Sequence, residues 1–414
     1  MSTIADERSA APTGASVRQL AAAPHRLMFF AGATNILLAM LWWAVWLVAS
    51  RWPTLLTMKY PPVFPGWVHA FVMQYQMLAS FFFGFLLTTF PKWTKQPEVE
   101  RRHFLPVGAG LLAGQLVTLA GALTSHAAIV AGVALTLVGW TAALVTLVPM
   151  LWREQITTWH ARSCVAALAL GYAGILAFGA FLLGASPSWA VASIKIGSFG
   201  LALMVFFTVA HRMFPFFAGN AVANYQPWRP MWLLAAMWVG VLVHLALTLA
   251  PSLAWLWLPD AALLAVTTFA CWRWWPRGTK PGLLTVLFIG LAWLPIAMLL
   301  YTIDDIAYAS RGAYELGRGP AHALFIGFFG SILVAMVTRV TQGHSGRPLV
   351  MPALAWFAFI GIQVVAAIRI LGDLAADPFA WFAVAAIAWL VVLAPWVARI
   401  GRIYLTPRAD HKPG

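Results

Sequence analysis

Charge is scarce in this sequence. Asp, Glu, Lys and Arg make up 9% of its 414 residues, while 62% are hydrophobic and 23 are Trp. A water-soluble domain with so few charges would precipitate, so the composition points to an all-α polytopic membrane protein. Cysteine is rarer still. Cys164 and Cys271 both lie in apolar runs without CxxC spacing, which excludes a disulfide framework and a cysteine zinc site and leaves them as buried structural thiols. The chain also lacks a Walker motif, a GxGxxG after a strand, a Ser-His-Asp candidate set and a CxxCH attachment site. ATP-driven transport, hydrolysis and covalently attached haem therefore find no support. No short apolar stretch with a cleavage site precedes the first long apolar run, so no cleaved signal peptide is expected.

What is present is a series of apolar windows of about 20 residues, each long enough to span a bilayer as a helix. They fall near 27–49, 67–90, 104–124, 127–151, 163–184, 189–214, 230–250, 253–275, 282–303, 319–340, 352–372 and 379–403. Pro and Gly mark most of the short connections. The expected organisation is a disordered cytoplasmic arm over 1–25, one twelve-helix membrane domain over 26–404, and a cytoplasmic tail over 405–414. Of the 26 Lys and Arg, twenty fall on one set of connections, four (Arg51, Lys59, Arg311, Arg318) on the other, and Lys195 and Arg369 lie within helices. This positive-inside asymmetry predicts both termini in the cytoplasm of a bacterial inner membrane. The basic balance thus reports topology and membrane lipid, with no nucleic-acid partner.

The stretch from Gly319 to Pro348 carries the most chemistry. His322 sits near the start of its helix, Arg339 is expected to end it, and His344 follows in a glycine-flanked turn, GHSGR. A histidine inside an apolar segment is costly without a partner and is a functional candidate by default. Helical rise separates His322 from Arg339 by roughly 25 Å, so His322 and His344 cannot share one metal ion. Related spacing recurs: Lys195 and Arg212 in the sixth helix stand seventeen residues apart, as do His322 and Arg339. Stepping from His69 to Lys195 to His322 takes 126 and then 127 residues. Three pseudo-repeats of four helices are expected, each with a polar residue near the periplasmic start of its second member.

Such an arrangement resembles subunit I of haem-copper oxidases, in which histidines on helices two and ten hold a low-spin haem. The likeness is architectural, because the second histidine on helix ten and the histidine pair on helix seven are missing here. More specifically, HALFIGFFGSILVAMVTRVTQGHSGRP, HAFVMQYQMLASFFFGFLLTTFPKW and HRMFPFF resemble the NnrS family of membrane proteins. The run of Met336, Arg339, Val340, Gly343, His344, Gly346 and Arg347 is the most specific part. Many members read His-x-His-Glu where the second helix begins; this chain has His69, Ala70, Phe71 and Val72, so a ligand role for that second pair does not carry over. The resemblance implies haem b and copper as cofactors and a part in the response to nitric oxide.

His69 and His322, at matching depth, are the candidate axial ligands of one haem. Lys195 and Arg369 are candidates to pair with a propionate or an anion, or to reach the aqueous surface. On the cytoplasmic side, His211 and His344 are expected to meet at a second metal or haem, with Arg212, Arg339 and Arg347 as anion partners. His103, His160 and His411 read as solvated. His244 reads as a core histidine or a copper ligand, Met73 and Met77 as packing or a thioether pair for copper, and Asp260 as the one intramembrane carboxylate and a candidate proton carrier. Asp304, Asp305 and Glu315 read as an acidic loop. The function expected is that of a haem/copper membrane protein binding or turning over NO; the alternatives are a quinol-linked oxidase- or reductase-like enzyme and, third, a secondary transporter.

Overall fold

Proline at the first turn, where its missing N–H costs nothing, opens four of the helices, and links as short as the single Ser125 reverse the chain between them. The computed structural model describes residues 14–154, 156–278 and 280–410, so the expectations for residues 1–13, His411 and Lys412 lie outside it. Among the described residues there is no strand, and twelve helices are long and apolar enough to cross a membrane. They are α1 (Pro24–Arg51), α2 (Pro65–Thr94), α3 (Arg101–Thr124), α4 (His126–Trp152), α5 (Trp159–Leu182), α6 (Ser188–Ala221), α7 (Met231–Leu249), α8 (Leu253–Trp274), α9 (Gly282–Arg311), α10 (Gly319–His344), α11 (Ala353–Gly372) and α12 (Pro378–Leu405). We call the face holding the start of α1 and the end of α12 the lower face, and its opposite the upper.

Every expected span is present, and the boundaries differ where charge was taken to end a helix. α10 does not stop at Arg339 but runs on to His344, its last residue. α2 and α6 pass through Pro91 and Pro215 and end at Thr94 and Ala221. Within the described part of the arm, the Ser16 N–H donates to the Leu405 carbonyl at 2.7 Å ahead of a 3-10 turn over Val17–Ala22. Arg26, 3% exposed, fixes the same junction by donating to the Tyr404 and Thr406 carbonyls.

Between apolar helices, close backbone approach replaces large side chains. The α3–α4 hairpin shows this best: a Cβ on Gly110 would lie 2.5 Å from the Gly139 Cα. At the same seam Gln76 of α2 donates to the hydroxyls of Thr118 and Thr136 at 2.9 and 2.8 Å.

Three helices stand out. α2, α6 and α10 are the most buried spans, and each contains a π-helical stretch: Val72–Leu78, Ile196–Leu203 and Ala323–Gly330. These stretches end 125 and then 127 residues apart, nearly the spacing of His69, Lys195 and His322. The repeat thus has a backbone counterpart. A π turn offsets the hydrogen-bond ladder and leaves carbonyls needing other donors; Trp140 supplies one, its indole N–H donating to the Tyr75 carbonyl at 2.9 Å. Phe82, Phe206 and Leu333 bring the three helices together around a small apolar cavity of about 60 Å³. Aliphatic side chains such as Val138, Val239 and Val391 cover the outside.

Candidate cofactor-binding sites

On the upper face, the first turns of α2 and α10 bring His69 and His322 near one another. Their rings are not in contact, but each lies within electrostatic reach of the other or of a shared neighbour, Arg369 at the end of α11. Trp43 of α1 stacks on His69 at 4.3 Å between centroids and 13° between planes, which fixes the imidazole's orientation. Among the described residues His69 has no hydrogen-bond partner for either ring nitrogen. His322 Nδ1 lies 2.8 Å from the Arg318 carbonyl. A carbonyl only accepts, so Nδ1 carries the proton and Nε2 keeps its lone pair, the tautomer a metal-bound imidazole needs. Arg369 is itself held by Asp373 at 2.6 Å and lies 3.7 Å over the Phe382 ring. Two imidazoles with available lone pairs beside a fixed cation suit a b-type haem with its anionic propionates.

The lower face departs from expectation. His344 does not meet His211; its ring packs on His25, at 4.4 Å between centroids and tilted by 45°. His25 is 6% exposed, and its Nδ1 has no partner. Arg26, Lys92 and Arg408 lie around this pair, with Arg347 next to Arg26 and Arg399. Arg347 and Arg399 each bury one Nη1 without an acceptor. A buried N–H that finds no partner carries a desolvation penalty of about 1–3 kcal/mol, more for a charged group, so these orphaned donors fit an anionic group. The ring spacing leaves no room for a macrocycle between His25 and His344, and two neutral imidazoles suit a copper ion instead. Gly346 makes the turn after α10 by taking φ +68°, and a Cβ there would strike Asp410 at 2.5 Å.

His211 has its own partner. His160, expected to be solvated, is 7% exposed because α5 begins one turn earlier than its apolar run. Its Nε2 lies 2.9 Å from His211 Nδ1, while His211 Nε2 lies 3.0 Å from the Pro230 carbonyl. The carbonyl assigns the His211 proton to Nε2, so Nδ1 accepts from His160. Both nitrogens of His211 are then used, and no lone pair is left for a metal in this arrangement. Arg212 and Arg339, equivalent in the repeat, lie over aromatic rings of the preceding unit: Arg212 at 4.6 Å from Trp93 and Arg339 at 4.1 Å from Phe217. Of the cationic residues expected around a lower site, Arg347 alone has a buried nitrogen to offer.

A third polar cluster lies on the upper face among α6 to α9. His244 Nδ1 is 2.6 Å from Asp260 Oδ1, and Asp260, near the upper start of α8, is fully buried. Asp304 and Asp305 belong to α9 and are 4% exposed, so two of the three acids are helical and buried, while Glu315 stays in the exposed loop and pairs with Arg311 at 2.7 Å. Asp304 accepts the backbone N–H groups of Glu315 and Leu316. Outside the spans, Tyr225 donates to the Trp274 carbonyl, and burial pushes its hydroxyl up to about 12. Among the described residues no set of three or more His, Cys, Asp or Glu is arranged to hold a metal ion.

Sequence reasoning missed His25, His160 and the depth of Asp305. Pro24 was a usable signal, since a proline heading an apolar run places the next residue inside the first turn. The family model described as NnrS protein matches residues 19–408. No curated protein matches the chain.

Proposed function

The chain belongs to the NnrS family, and from that premise we propose that it binds haem b and copper in a bacterial inner membrane and binds or turns over nitric oxide under nitrosative stress. The observation that carries this reading is the His69–His322 pair, 253 residues apart in sequence, near one another in space and equivalent in the repeat. His322 is oriented by the Arg318 carbonyl, His69 by Trp43, and Arg369 supplies a fixed positive charge. A haem held between these imidazoles would supply one-electron exchange. His25 and His344 would hold copper, with Arg347 and Arg399 turning buried N–H groups toward an anion beside it. The apolar cavity among α2, α6 and α10 suits a small gas, since a cavity without polar atoms stays dry.

The same reading assigns the lower face to the cytoplasm, because the Lys and Arg excess lies there, and covers the outward aliphatic residues with lipid. The test is to measure anaerobic NO loss over membranes containing the protein while assaying bound iron and copper. Accelerated loss that tracks cofactor content supports the proposal. Protein purified with neither metal, and without effect on NO after loading with haem and Cu(I), would remove it.

A further inference from the structure

Of the three repeat-equivalent positions, His322 lies in the field of His69, while the third, Lys195, lies among carboxyl groups. Lys195 on α6 lies in the field of Asp260 on α8 and Asp305 on α9. The two carboxyl groups are within hydrogen-bonding reach of each other. Each leaves its Oδ2 buried with no donor, and His244 on α7 leaves its Nε2 buried in the same way. Phe199 closes one face of His244 at 3.7 Å, and Tyr301 of α9 stands edge-on to both rings. Asp304 and Arg318 are the remaining charges facing the cluster, with Tyr314 beside them.

Counting charge decides what the cluster does. Asp304 is satisfied by two backbone N–H groups, and Arg318 adds one positive charge to the same field. Lys195 offsets one of the two facing carboxylates, and His244 is neutral as a donor to Asp260. Two ionised carboxylates would leave one uncompensated negative charge at a site where Asp260 has no exposure at all, and two carboxylates that close cannot both ionise at ordinary cost. A proton placed between them makes the cluster neutral and gives the orphaned oxygens a hydrogen bond.

We infer that Asp260 and Asp305 form a proton-binding site, holding one exchangeable proton between their carboxyl groups under the control of Lys195. Binding adds one proton and moves no electron. His244 donates its Nδ1–H to Asp260 Oδ1 and so holds that carboxyl in place. The site is independent of haem and copper, because none of its members belongs to the paired-histidine sites.

The test is infrared difference spectroscopy of the purified full chain across a pH titration. The wild type should show one protonated-carboxyl C=O band, lost in a single one-proton step. Asp260→Asn and Asp305→Asn should each abolish that same band, since the remaining acid ionises against Lys195. Lys195→Met should carry the band to more alkaline pH. A band that survives either Asn substitution contradicts a shared proton. Should a variant fail to assemble, carboxyl-¹³C aspartate in the wild type decides alone: a band that does not shift, or no band at all, overturns the site.

Discussion

His344 shows how far a single residue's meaning depends on its partner. Its glycine-flanked motif is legible in the sequence, but the residue it touches, His25, lies more than three hundred positions away in the chain and just past an alanine-rich stretch that reads as an unstructured arm. Neither periodicity nor spacing encodes that contact; it follows from α1 packing against α12 and the end of α10. His160 was hidden differently, because its burial rests on one extra turn at the start of α5. Two predictions belong to this scale. His25→Ala and His344→Ala should each lose the same copper equivalent by metal analysis, whereas His211→Ala should keep it. Arg339→Lys should retain its cofactors but melt earlier, with a loss of about 0.5–2 kcal/mol as the guanidinium leaves the Phe217 ring. Cofactor loss with unchanged melting would instead put Arg339 in the site.

At the scale of elements, the twelve helices were readable because membrane length and apolarity are compositional properties. The π turns were not, since Val72–Leu78 has nothing in its composition that an α-helical turn would lack. The first of them takes a tertiary donor, Trp140. Trp140→Phe keeps most of the packing but withdraws the hydrogen bond to the Tyr75 carbonyl, at a cost of about 1–3 kcal/mol for a buried group left unsatisfied. The thermal midpoint in detergent should fall accordingly. Gly110→Val, by contrast, forces α3 and α4 apart where a Cβ already meets backbone, and overpacking of this kind costs typically 1–3 kcal/mol. At the opposite edge Asp377 caps α12 and accepts from Arg51 of α1, a hydrogen bond that holds its carboxyl below the usual range. Its contribution is complete above the ordinary carboxylate pKa and fades as pH falls through the lowered value, so Asp377→Asn should flatten the acid side of a stability profile.

Across the whole molecule, the repeat organises both the backbone and the chemistry. The three second helices converge on one apolar axis, their upper starts offering His69, Lys195 and His322 and their lower halves carrying Arg212 and Arg339 onto aromatic rings. The sequence spacing was enough to suggest this symmetry but not its use, because equivalence says nothing about which neighbour each position faces. Two of the positions lie near each other and the third lies among carboxyl groups. Reporter fusions after Pro187 and after Lys95 should fall on opposite sides of the membrane, with the Lys95 side cytoplasmic; a common side for both would break the antiparallel order on which every site depends.

The most direct measurement is the absorption spectrum of the purified protein carrying His69→Ala or His322→Ala, beside His103→Ala as a control. His69 and His322, as the two axial ligands of one b-type haem, predict that each substitution removes the low-spin signature while His103→Ala, exposed at the start of α3, leaves it whole. A low-spin spectrum unchanged in both ligand variants would contradict the assignment.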